Sequence, residues 1–146
     1  MDRVSFTFLI QTAKRIKKII PEDFKGTCNP ELFVSEQEWA LYIPYANSGH
    51  YIPRMMDDGA EYKDVLHSYV LLSLKVDEFF ENVMVNDKNE VLRNNRLGLL
   101  KDIQNLFLMF ADFTLIVISE STSREKVREE LEEDMRREIS ELKTMY

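Results

Sequence analysis

Residues 76–116 read VDEFFENVMVNDKNEVLRNNRLGLLKDIQNLFLMFADFTLI, and their pattern decides the fold class. Val76, Phe79, Phe80, Val83 and Met84 recur at the three- and four-residue steps that place side chains on one helix face. Asn86-Asp87-Lys88-Asn89 is a polar turn able to cap a following helix. Leu92, Leu99, Ile103, Leu106, Phe107, Phe110 and Phe113 continue the helical spacing, which predicts a helix over 89–118. Towards its end that helix is apolar over more than half its circumference, as the centre of a bundle requires. It is a poor bilayer span. Lys101, Asp102, Gln104, Asn105 and Asp112 interrupt it, and each charge would cost roughly 3 kcal/mol at the bilayer centre. No membrane partner is expected.

The flanking segments keep the same period. Leu9, Ala13, Ile16 and Ile20 form an apolar stripe, with Lys14, Arg15, Lys17 and Lys18 mostly off it. Pro21 ends that helix, and residues 22–29 read as a loop. Asn29-Pro30 has the order of a cap followed by a first helical residue, and Ser35-x-x-Glu38 has capping-box spacing. A helix from Ser35 would carry Trp39, Ala40 and Ile43 inward, and Pro44 should kink or stop it near Tyr42. Residues 46–59, with Gly49 and Pro53, then read as irregular. Tyr62, Val65, Leu66, Tyr69 and Leu72 form a third stripe, with a change of direction near Leu74. After a break at 119–123, Thr122-x-x-Glu125 opens a last helix with a narrow stripe of Val127, Leu131, Met135, Ile139 and Leu142. That stripe suits either packing on the bundle or pairing with a second copy as a homodimer. The expected fold is an all-α antiparallel helical bundle over 1–118 plus an amphipathic C-terminal helix over 119–146.

A chain of 146 residues and 17.3 kDa fits one bundle of this kind. A single cysteine, Cys28, excludes an internal disulfide framework and a Cys-rich zinc site. The opening residues show no secretory pattern, so a cytoplasmic location is expected. The net charge of -7 disfavours sequence-blind attraction to a polyanion, but the charge is uneven. Residues 1–25 hold six basic and three acidic side chains, whereas residues 26–90 hold four and twelve. Nucleic-acid contact would therefore fall on the first helix and on the segment after Val91.

Catalytic chemistry finds little support. Asp64-x-x-His67 puts two ligand-type side chains on one face, but a di-metal bundle needs a second such pair. No metal site is expected. Nothing marks Cys28 as activated, and the four glycines form no phosphate loop. The unusual feature is Arg93-Asn94-Asn95-Arg96, four hydrogen-bonding side chains in a helix whose propensity two asparagines lower. Either they tie helices together or they contact a ligand.

VDEFFENVMV, LRNNRLGLL and LFLMFADFTLI together resemble the C-terminal, DALR-like anticodon-binding domain of the bacterial-type glycyl-tRNA synthetase beta subunit. TAKRIKKII and NPELF resemble the start of the same domain, so the likeness runs over 6–118. The resemblance implies a non-catalytic helical module of a glycine–tRNA ligase. Its partners would be the tRNA-Gly anticodon loop and, through the rest of the beta subunit, the alpha subunit. The alpha subunit performs the ATP-dependent aminoacylation, so no cofactor is implied for this segment. In a plastid-type fused enzyme the location would be organellar. Pro44, Gly49 and Pro53 depart from the family pattern, and 119–146 extends beyond it.

Glycine anticodons share two adjacent cytosines, whose edges offer one donor and two acceptors. Asparagine can donate and accept against such an edge, and arginine can serve its acceptors or a phosphate. Bases in a single-stranded loop can also be splayed out onto aromatic side chains. Arg93, Asn94 and Arg96 are the expected loop contacts, with Asn95 either a fourth or a tie between helices. Lys14, Arg15, Lys17 and Lys18 would steer phosphates. Four consecutive helical residues turn about 100° each, so they cannot all face one ligand. A protein-binding helical module is the alternative, favoured by the acidic middle and the terminal stripe.

Overall fold

The computed structural model describes residues 3–116 and 124–144; the expected capping box at Thr122 lies outside them. The described residues form five α-helices and two 3₁₀ turns, without strands. Helix α1 spans Arg3–Ile19, α2 Glu36–Asp57, α3 Tyr62–Asn82, α4 Glu90–Leu108 and α5 Arg124–Thr144, with 3₁₀ turns at Pro30–Leu32 and Phe113–Leu115.

Helix α1 holds the central place that the sequence suggested for the helix after Asn89. It packs on α3, α4, α5 and the second 3₁₀ turn. Its consecutive Phe8, Leu9 and Ile10 are all fully buried, so the middle of the helix is covered over a wide arc. Burying each such side chain stabilises the fold by about 1.5–3 kcal/mol. Beyond Ala13 the exposed Arg15, Lys17 and Lys18 give α1 a face to solvent.

The starts are capped where the sequence placed them. Asn89 Oδ1 accepts from the Val91 and Leu92 N–H groups, Asn29 Oδ1 from that of Glu31. Glu38 Oε1 accepts from the Ser35 N–H at 3.0 Å, closing the capping box of α2.

Helix α2 then runs through both prolines, contrary to the expected break. Pro44 and Pro53 deny donors to the carbonyls of Ala40 and Gly49. Both residues lie on the exposed face, where water can satisfy the freed oxygens. Packing against α3 keeps the helix intact through buried Leu41 and Ile52. Trp39, Ala40 and Ile43 point outward rather than inward. The capping box explains the rotation: it draws Glu38 into the interior, and at 100° per residue positions 39, 40 and 43 turn away. Just past the end of α2 stands Gly59, whose φ of 76° suits glycine. Ala60 N–H donates to Met55 O and Gly59 N–H to Met56 O, as in a Schellman cap.

Helix α3 is continuous through Leu74, and its expected core members Tyr62 and Met84 are exposed at the two ends of the segment. Helix α4 stops at Leu108, ten residues short of the expected 118. There Asp112 caps the second 3₁₀ turn, accepting from Thr114 N–H and Oγ1–H. The turn folds Phe113 back against Phe107, Phe110 and the buried Tyr69. Tyr69 donates its hydroxyl to Leu106 O at 2.7 Å, and burial pushes that phenol up to about 12.

Helix α5 lies on α1 with Val127 and Leu131 buried. Val127 and Leu131 thus take the first of the two roles open to the stripe, packing on the bundle; the side chains of Ile139 and Leu142 lie outside those described.

Candidate nucleic-acid interface

The polar quartet at the start of α4 divides by direction. Asn94 is exposed, and Arg93 is half-buried with a guanidinium N–H donated to Asp87 O at 3.1 Å. Asn95 and Arg96 are 4% and 7% exposed, and both serve the interior. Arg96 donates to Met84 O at 2.8 Å and faces Glu38 at 3.7 Å and Asp87 at 3.6 Å. It thereby joins the start of α2, the α3–α4 connection and α4.

Asn95 belongs to a clamp on the α1–α2 connection. Its amide accepts from Asn29 N–H at 2.7 Å and donates to Asn29 O at 3.1 Å, a backbone-like pair. One turn on, Gly98 leaves room for the chain: a Cβ there would stand 2.5 Å from the Thr27 carbonyl carbon. Asp102 closes the clamp, accepting from Cys28 N–H at 3.1 Å and Thr27 Oγ1–H at 2.7 Å. Asn95, Gly98 and Asp102 share one helix face by their spacing of three and four. This is the signal in the sequence that separates Asn95 from Asn94: small or polar residues aligned along an otherwise apolar helix. Burial, then the charge of Asp102, pushes the Cys28 thiol up to about 12, the opposite of an activated nucleophile.

The basic side chains of α1 stand at the other end of α4. Lys17 reaches Thr114 Oγ1 at 3.5 Å, just past the last turn of α4, and about 20 Å of helix rise separates that end from Asn94. The quartet and the lysines are therefore not brought together. Gln11, Lys14, Arg15, Lys18 and Thr114 line an open groove of about 490 Å³. Arg15 is half in the fold: its guanidinium lies 4.1 Å from the Phe80 ring centroid and 3.8 Å from Asp77. Hydrogen bonds from Thr114, with a smaller contribution from Lys17, hold the Asp112 carboxyl below the ordinary range, so a fixed negative charge borders the lysines.

A residue that sequence reasoning assigned to the core joins this end. Tyr62 is 78% exposed, with its ring edge-on to Phe110, itself stacked on Phe113 beside Thr114. Its position at the first residue of α3, where one side of the turn overhangs the packed region, was the available signal. Lysines and an open aromatic ring at one end of a bundle can hold phosphates and stack a base. Among the described residues no three His, Cys, Asp or Glu side chains gather as metal ligands, and no helix is long and apolar enough to cross a membrane.

Against known proteins, residues 9–111 match the family model of the DALR anticodon binding domain. The glycine–tRNA ligase beta subunit of Persephonella marina is 37% identical over 111 residues, covering 76% of this chain. That of Aquifex aeolicus is 38% identical over 118 residues, covering 79%, and that of a Sulfurihydrogenibium species 40% over 113, covering 75%. The chain spans 16% of the length of each of these relatives.

Proposed function

The chain belongs to the DALR anticodon-binding domain family, and on that premise we propose that it holds the anticodon arm of tRNA-Gly for a glycine–tRNA ligase. It acts without catalytic groups of its own. Aminoacylation, with its ATP, falls to the alpha subunit, which this domain meets only through the rest of a cytoplasmic beta subunit. The observation that carries the reading is the uncovered basic face of α1 in a chain of net charge -7. Lys14, Lys17 and Lys18 take phosphates there, Arg15 contributes from the groove edge, and Tyr62 offers a stacking face. Among the quartet, Asn94 and the outer edge of Arg93 are left for base edges. Asn95 and Arg96 act on the RNA only through the fold.

The test is binding of a glycine tRNA anticodon stem-loop, read by fluorescence anisotropy. Lys14→Gln with Lys18→Gln should weaken binding about tenfold and flatten the log–log salt slope by about 1.5, two phosphate contacts at roughly 0.7–0.9 each. Replacing either shared cytosine should cost about 1–3 kcal/mol. Binding that ignores salt and both cytosines would reject the reading and favour a protein partner, for which the open α2 face with Trp39 and Ile43 is the better surface.

With Val127 and Leu131 buried in packing on α1, this reading takes the chain as a monomer. Light scattering should give the mass of one chain. A doubled mass that halves on deleting residues 119–146 would restore the dimer.

A further inference from the structure

Arg15 sits between two demands. Its guanidinium lines the basic groove, yet it also faces Asp77, a carboxylate with 5% of its side chain exposed. A buried carboxylate needs a cation, and the nearest one on α1 is the one the groove uses. Helix α5 supplies another. Arg128 lies 3.3 Å from the second oxygen of Asp77, donates to Glu81, and is steadied by Glu132 one turn along α5 at 3.2 Å. Asp77 and Glu81 are four residues apart, so they present both charges on one face of α3. Arg15 meets Asp77 at 3.8 Å and stays flat over Phe80, its side chain 44% exposed.

We propose that Arg128 is a positioning residue for RNA binding: by engaging Asp77 and Glu81 it leaves Arg15 available at the groove. Arg128 lies outside the family match, which ends at residue 111, while Arg15, Asp77 and Glu81 lie within it. It rests on the anticodon-arm reading above. Without Arg128, Asp77 and Glu81 lose the cation they share, the Arg15 guanidinium turns to Asp77, and the groove loses one phosphate contact.

The experiment uses the full 146-residue chain and the glycine tRNA anticodon stem-loop, titrated between about 50 and 200 mM salt. Arg128→Met, which keeps an apolar stem of similar length, should weaken binding about threefold to tenfold at the low end. The salt slope should flatten by about 0.7–0.9, one contact. Adding Asp77→Asn to Arg128→Met should restore both quantities, and Arg128→Lys should keep most of them. Restoration by removing a second charge is what a merely structural role of Arg128 would not produce. Asp77→Asn alone should bind at least as tightly as the unaltered chain, which keeps a test in hand should Arg128→Met melt early. Unchanged affinity and slope in Arg128→Met, a double variant as weak as the single, or weakened binding by Asp77→Asn would each overturn the inference. Absence of binding by the unaltered chain would overturn the anticodon-arm reading and this inference with it; binding that ignores Arg128 and Asp77 would overturn this inference alone.

Discussion

Gly98→Ala should destabilise the fold by about 3 kcal/mol, although alanine is ordinarily the better residue within a helix. The propensity gain is about 1 kcal/mol. Against it stands a Cβ 2.5 Å from the Thr27 carbonyl carbon, 2.6 Å from its oxygen and 2.8 Å from Cys28 N, all backbone atoms that no rotamer change can move aside. Overpacking of this kind costs about 1–3 kcal/mol. Relief by moving residues 27–29 away breaks the Asn95 pair and the Asp102 bonds, each worth about 1 kcal/mol or more. Urea titration followed by Trp39 fluorescence gives the stability change, and the melting temperature should fall by roughly 6–12 °C. The Cys28 thiol reports the local movement. With its titration pushed up to about 12, it should react slowly with a disulfide reagent near pH 8, and faster in the variant. The same raised value makes the clamp pH-sensitive. The unfolded thiol ionises near pH 9 and the folded one near 12, so this contribution is whole below pH 9 and lost as pH rises towards 12. A variant as stable as the unaltered chain, with Cys28 equally slow, would show that the connection does not depend on Gly98.

Three starts, those of α2, α4 and the first 3₁₀ turn, were readable in the sequence because caps are local. Ser35, Asn29 and Asn89 each satisfy donors within three residues, so spacing alone identifies them. The helix ends and faces depended on distant partners. Pro44 predicts a break when α2 is read alone, but α3 packs across the proline and solvent serves the freed carbonyl. Trp39 and Ile43 look like core residues until Glu38 is known to face inward, where the capping box draws it and Arg96, 58 positions later, meets its charge. The early end of α4 likewise turns on Tyr69, which gathers Phe107 and Phe113 from either side of the Asp112 cap. The basic face of α1 was legible for the opposite reason: an amphipathic period assigns its lysines to solvent whatever they meet. Tyr62 was not, since an aromatic at helical spacing reads as core wherever the stripe begins.

The quartet shows the same limit at higher stakes, and Arg96 decides between its two interpretations. Arg96→Met should cost the fold about 3–4 kcal/mol, because it strands the fully buried Glu38 carboxylate without its cation. It also leaves Met84 O without the guanidinium donor at 2.8 Å. Glu38→Gln should cost less, about 1–2 kcal/mol, since an amide oxygen can still accept from the Ser35 and Val34 N–H groups in the capping box. Arg96 would keep Asp87 and Met84 O. The double variant should be more stable than the sum of the singles by about 1–2 kcal/mol, because neither charge is then left alone inside the fold. Urea titrations of the four proteins measure this coupling. Stem-loop affinity, taken well below each unfolding midpoint, should stay within about twofold of the unaltered chain, since Arg96 is 7% exposed and its guanidinium is committed to Met84 O, Glu38 and Asp87. The contrary pattern would be a single variant of near-native stability that no longer binds the stem-loop. That result would place the guanidinium on the RNA and require α2 and α4 to part in the complex, exposing Glu38 beside a phosphate. An anion next to an anion is an arrangement that binding energy would have to overcome, which is why the interior pairing is the stronger expectation.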